Sequence, residues 1–200
     1  MNHPDSLQKL LRSLQQVPYL ASKNLYKVAN YFLEQDEERV AQLCQSLLEV
    51  KQKIKPCTNC FAWQQLDQPC SFCDSSKRDQ GLVCVVEKWP DLLAIERTGN
   101  YQGVYHVLGG VISPLNGVRL EHLTIQFLLQ RVQLGQVNEL VLALSPTPEG
   151  EATMAYLIDK LQNYSVKISG LAQGLPVGSI LEYMDRVTLT KALADRRSLL

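Results

Sequence analysis

Between positions 57 and 73 the chain reads CTNC, nine further residues, then CSFC, and this segment constrains the fold more than any other. Two cysteines separated by two residues sit on a tight knuckle with both thiols turned toward one centre. Two such knuckles complete a tetrahedral four-sulfur shell suited to zinc. With Cys57, Cys60, Cys70 and Cys73 filling every position, no coordination site stays open, so one structural Zn2+ per chain is expected rather than a Lewis acid. Two redox-active pairs, or free thiols, fit the same spacing. Four of the six cysteines crowd here in a chain without an export signal, which favours the metal. Cys44, on an apolar helical face, and Cys84, inside a strand, read as core packing.

On either side of the cysteines the hydrophobic period differs. From Asp5 to Ile54 it is helical: Leu7, Leu10, Leu11 and Leu14, then Leu25, Val28, Ala29 and Phe32, then Val40, Leu43, Cys44, Leu47 and Leu48. The first two helices are joined by VPYLASKN, with Pro18 before the turn and Ser22 placed to cap the second helix. From Gly81 onward, short β-rich runs alternate with helix-length segments: LVCVV, PDLLAIERT, VYHVLGG, EHLTIQFLLQRVQ, ELVLAL, EGEATMAYLIDKLQ and VKISGLA. That alternation indicates an α/β domain with a mainly parallel sheet. The expected organisation is a helical module at 1–55, a four-cysteine finger at 56–79 acting as a hinge or spacer, an α/β domain at 80–172 and a C-terminal segment at 173–200.

Charge limits the partners. Twenty basic residues balance twenty acidic ones, so no global field steers the chain onto DNA, and any nucleic-acid contact must come from local patches or from assembly. The apolar runs are too short for a bilayer and MNHPDSLQKL lacks the apolar core of a signal peptide, so a cytoplasmic protein with no membrane partner is expected.

Four acids fall after two of the strand-like runs: Glu87 and Asp91 after LVCVV, and Glu149 and Glu151 after ELVLAL. Ligands of α/β sheets gather at the carboxyl ends of strands, which makes one acidic cluster plausible. The competing reading is that Glu149 and Glu151 merely open a helix, where negative charge complements the dipole, and that Glu87 is a solvated strand-end residue.

VVEKWPDLLAIERTGNYQGVYHVLGGVISPLNG, SPTPEGEATMAYL and GLPVGSILEYMDRVTLTKAL, in this order behind a four-cysteine finger and a helical N-terminus, resemble the RecR family of bacterial recombination mediators over nearly the whole chain. The resemblance implies a Toprim domain and a DNA-repair protein that acts with RecO and RecF to load RecA on gapped or single-stranded DNA. It also implies ring-shaped homo-tetramers built from dimers, and no catalysis. Toprim enzymes hold magnesium with a glutamate and paired aspartates. Glu87 matches the glutamate, but Ser145 and Thr147 stand at the aspartate positions, and hydroxyls supply neither the charge nor the affinity for that site. The resemblance therefore gives Glu87, Asp91, Glu149 and Glu151 to an acidic face that binds RecO.

At the N-terminal turn the chain departs from its relatives. Where the family carries a glycine-rich helix-hairpin-helix turn, this chain has Tyr19, Leu20 and Ala21, whose side chains disfavour left-handed backbone and obstruct close approach to phosphate. Lys23 and Lys27 still match basic positions that the family uses against DNA; solvated surface lysines are the alternative. Lys77 and Arg78 add a weak basic patch beside Asp74 and Asp79. The segment from Glu182 to Asp185 resembles the family's Walker-B-like region, which serves assembly in relatives, and the chain has no G-x-x-x-x-G-K-[ST] loop for nucleotide. Two other functions remain: a Toprim nuclease or primase-like enzyme using Glu87, Glu149 and Glu151, and a relative acting only through protein partners.

Overall fold

A computed structural model describes residues 4–196 and Ser198. It divides into two compact units, residues 1–54 and 55–200.

The N-terminal unit holds α1 (Asp5–Gln15), α2 (Leu25–Leu33) and α3 (Glu37–Lys53). Leu11, Leu25 and Ala29 form its buried centre, with Leu7, Leu10, Leu14 and Leu20 packed around them. Ser22 does not cap α2. It opens a one-turn 3-10 segment, Ser22–Asn24, that runs straight into the helix without a side-chain cap, the Asn24 N–H bonding the Ala21 carbonyl at 2.8 Å. None of α3 is buried, although Leu43, Leu47, Leu48 and Val50 keep helical spacing. Cys44 on this helix is exposed, contrary to the core position its apolar neighbours suggest, because nothing in its own unit covers that face.

At the boundary between the units β1 (Ile54–Pro56) begins and pairs with β2 (Trp63–Gln65), and in the second unit a four-stranded parallel sheet follows in the order β4 (Gly103–Val107), β3 (Asp79–Val86), β5 (Glu139–Ala143), β6 (Lys167–Gly170). The crossovers carry α4 (Trp89–Glu96), α5 (Ile125–Gln133) and α6 (Pro148–Leu161), and α7 (Arg186–Ala194) comes last. The predicted α/β order is thus observed. β3 reads as an almost unbroken apolar run because both its faces are covered, as parallel strands require.

The period of two along the strands sorts the core into two layers. Val83, Val85, Val104, Leu140 and Leu142 face Leu128 of α5 and Leu157 and Leu161 of α6. Cys84, Val86, Tyr105, Val107 and Ala143 face the other way, against Leu92 of α4 and the four cysteines of the finger. The finger is therefore a layer of the sheet domain and not a hinge or spacer. Its four cysteines are buried against the same sheet face as Leu92 of α4.

Candidate functional site

Each knuckle closes through its own backbone. The Phe61 N–H donates to the Cys57 carbonyl at 3.0 Å and the Asp74 N–H to the Cys70 carbonyl at 2.9 Å. Phe61 takes a left-handed φ of 61°, which turns the chain back so that the Cys57 N–H meets the Ala62 carbonyl at 2.8 Å. The result gathers Cys57, Cys60, Cys70 and Cys73, all buried, with every sulfur within 4.8 Å of the others. Cys57 and Cys73 lie 3.5 Å apart, as do Cys60 and Cys70. A tetrahedral thiolate site with bonds of about 2.3 Å sets its sulfurs roughly 3.8 Å apart, so the donor set fits one metal ion. The clustered sulfurs perturb one another: hydrogen bonding from Cys60 and its neighbours lowers the pKa of Cys73, while bonding to Cys73 and burial raise that of Cys60. The first backbone support for thiolate charge is the Asn59 N–H, 3.4 Å from the Cys57 sulfur.

The second candidate lies at the carboxyl ends of β3 and β5, where Val86 and Ala143 are in register and Glu87 and Ser145 follow. Glu87 accepts the Ser145 N–H at 2.6 Å, tying the two strand ends together. A cleft of about 460 Å3 opens beside it, lined by Glu87, Lys88, Asn116, Thr147 and Glu149. The other two acids are elsewhere. Asp91 caps α4 by accepting the Lys88 N–H at 2.9 Å, and Glu151 pairs with Lys191 of α7 at 2.7 Å. Thr147 is the N-cap of α6, its hydroxyl oxygen accepting the Gly150 N–H at 3.1 Å. The loop closes so tightly that a Cβ at Gly150 would strike the Ser145 carbonyl. The four acids thus serve as a strand-end tie, a helix cap, an ion pair and one cleft wall. Among the described residues only the four cysteines converge as a metal-binding group of three or more.

At the N-terminal turn, Tyr19 sits at φ 67° with its side chain 99% exposed. The backbone holds the left-handed geometry that glycine usually supplies, fixed by the Leu20 N–H on the Val17 carbonyl at 3.3 Å. Lys23 lies in the 3-10 turn and Lys27 in α2; both are exposed, four residues apart. Arg78 is no part of a basic patch. Its guanidinium forks onto Glu96 at 2.9 and 2.8 Å and reaches the Gly103 carbonyl at 3.0 Å. Mutual hydrogen bonding accordingly raises the pKa of Arg78 and lowers that of Glu96.

Sequence reasoning missed His106 and Arg131. His106 is fully buried on β4, with Nε2 2.9 Å from the Thr124 hydroxyl. That hydroxyl donates to the Val107 carbonyl at 2.8 Å, so its oxygen receives the His106 Nε2–H, and the buried Nδ1 has no hydrogen-bond partner to hold a second proton. Burial first, then the charge of Arg131, carries His106 down to about 3. Only the alternation in VYHV hinted at a histidine inside the sheet.

Residues 81–172 match the Toprim domain family and residues 174–197 the RecR C-terminal family. The chain is 42% identical over 196 residues to a protein of Myxococcus xanthus named recombination protein RecR, spanning 98% of this chain and 99% of that one. A protein of Nocardioides sp. with the same name is 45% identical over 192 residues, 96% of either chain. A third, from Staphylococcus aureus, is 38% identical over 196 residues, 98% of either chain. Four gathered cysteines, a parallel Toprim sheet and likeness to these proteins from end to end have one explanation: the chain belongs to the RecR family.

Proposed function

We propose that this protein is a non-catalytic DNA clamp and adaptor of recombinational repair in the cytoplasm, which works with RecO and RecF to load RecA on gapped or single-stranded DNA. The observation that carries the reading is identity along the whole chain with proteins named recombination protein RecR.

The geometry is compatible in each part. Residues 1–55 serve as the hairpin module, with Lys23 and Lys27 as phosphate contacts beside a turn that keeps its left-handed backbone. Residues 56–79 hold one Zn2+ through Cys57, Cys60, Cys70 and Cys73; bound there, zinc cross-links the two knuckles and, with four thiolates, has no open position for substrate. Residues 80–172 present Glu87 and Glu149 in the cleft, and these, with Asp91 and Glu151 outside it, are the acids of the face for RecO. Absence of a carboxylate pair at Ser145 and Thr147, with Thr147 engaged as a helix cap, argues against a nuclease or primase.

Assembly is supported by uncovered apolar surface: Leu43, Leu47, Leu48 and Val50 on α3, and Val177, Ile180, Leu181 and Tyr183 in the segment 173–200. Two separate apolar faces per chain suit a tetramer built from dimers. A ring retains DNA by topology, which answers the zero net charge.

Fluorescence anisotropy on a gapped duplex, across a salt series, tests the reading with zinc-loaded wild type and Lys23→Ala/Lys27→Ala, each with and without RecO. Binding that weakens with salt and falls in the variant is expected. Binding only through RecO would make the chain a protein adaptor, and no complex under either condition would refute the reading. Cleavage of labelled DNA with Mg2+ that Glu87→Gln abolishes would make it an enzyme.

A further inference from the structure

β4 is an edge strand, and its free side carries two contacts next to each other. The Val107 N–H donates to the Cys60 carbonyl at 2.8 Å, and two residues earlier the Tyr105 carbonyl accepts Arg131 Nη1 at 3.0 Å. Groups two residues apart on one strand point the same way and lie roughly 7 Å apart, so the guanidinium stands beside the first knuckle. Thr58 and Asn59, the residues between Cys57 and Cys60, line the same cleft as Arg131.

Arg131 is largely withdrawn from water on α5, and no carboxylate pairs with it among the described residues. An arginine in that position is expensive unless negative charge lies nearby. Burial lowers its pKa, while the negative charge of Cys73, Cys60 and Cys57, and of Tyr101, works in the opposite direction. Four thiolates around one divalent ion leave two excess negative charges, and these sit in the sheet core, where water screens them poorly.

Resting on the reading that the cysteines hold zinc, we propose that Arg131 is the charge partner of the thiolate centre, a cation delivered by α5 that offsets its excess negative charge and sets how tightly the ion is held. The side chain is a positioning and electrostatic residue and contributes no ligand atom. Its hydrogen bond to the Tyr105 carbonyl fixes the guanidinium at the strand edge, so the metal centre, β4 and α5 are joined electrostatically as well as by packing.

The test uses full-length zinc-loaded protein and follows zinc release to a chromogenic chelator at neutral pH. Arg131→Gln, which keeps a donor for Tyr105 but loses the charge, is expected to release zinc about 10-fold faster, and Arg131→Lys within about 3-fold of wild type, the range typical of outer-shell partners. Asn59 is exposed and its backbone N–H is what meets Cys57, so Asn59→Asp and Asn59→Lys alter the local charge without touching the core. Faster release in the first and slower in the second is expected even if Arg131→Gln does not fold. Wild-type rates in Arg131→Gln, equal acceleration in Arg131→Gln and Arg131→Lys, or no opposite response in the Asn59 pair would each overturn the proposal while leaving the zinc reading intact. Wild-type protein that purifies without zinc from zinc-supplemented cells would remove both.

Discussion

Tyr19 bears a left-handed backbone that costs a non-glycine residue on the order of 1 kcal/mol, and its fully exposed ring gains little burial in return. Tyr19→Gly is therefore expected to leave the unfolding free energy unchanged or raise it by up to about 0.5 kcal/mol, after allowing for glycine's larger chain entropy, as read from urea melts. Destabilisation would mean that the ring makes contacts worth more than the strain. His106 gives the pH dependence. Its ordinary value is 6.5 and its folded value about 3, so between those limits the unfolded chain holds a proton that the folded chain refuses. Stability is complete above about pH 6.5 and declines as pH falls toward 3, by on the order of 2 kcal/mol between pH 7 and pH 5. Acid also strips metal thiolates, so the contribution is isolated as the difference between wild type and His106→Gln: the variant's stability profile should be flatter over this window. Neither residue announces itself. A tyrosine says nothing of its φ, and His106 depends on Thr124, eighteen residues away.

Among the elements, the turn from β5 into α6 is the most constrained. Gly150→Ala would drive a methyl into the Ser145 carbonyl, a backbone atom that cannot swing aside, and should cost about 2–3 kcal/mol in chemical denaturation. A loss under 0.5 kcal/mol would show that the loop relaxes freely. The alternating pattern made these elements legible: LVCVV and ELVLAL could hardly be anything but buried parallel strands, and the cysteine spacing foretold the cluster that forms. The acidic face was less readable. Glu87, Asp91, Glu149 and Glu151 share a position in the sequence pattern, yet hydrogen bonding to Ser145, Lys88 and Lys191 assigns three of them separate structural tasks. Cys44 was misread for a related reason: helical periodicity records that a face is apolar and not what covers it.

For the whole molecule, α3 and the C-terminal segment each expose a set of apolar side chains. Leu47→Glu, on the face bearing Leu43 and Val50, is expected to shift sedimentation to a smaller species while leaving the circular dichroism of the Toprim sheet unchanged, since none of α3 is buried. Unaltered sedimentation would exclude α3 as an assembly face. The position of the finger has a wider bearing. The Cys60 carbonyl takes up the Val107 N–H at 2.8 Å on the open rim of β4, where an unpaired N–H would invite another strand, so the finger also guards a sheet edge. With zinc held there as proposed, micronutrient supply would become a matter of proteostasis: protein made in zinc-starved cultures is expected to partition into the pellet more than protein made in replete ones, and equal partitioning would separate edge protection from the metal.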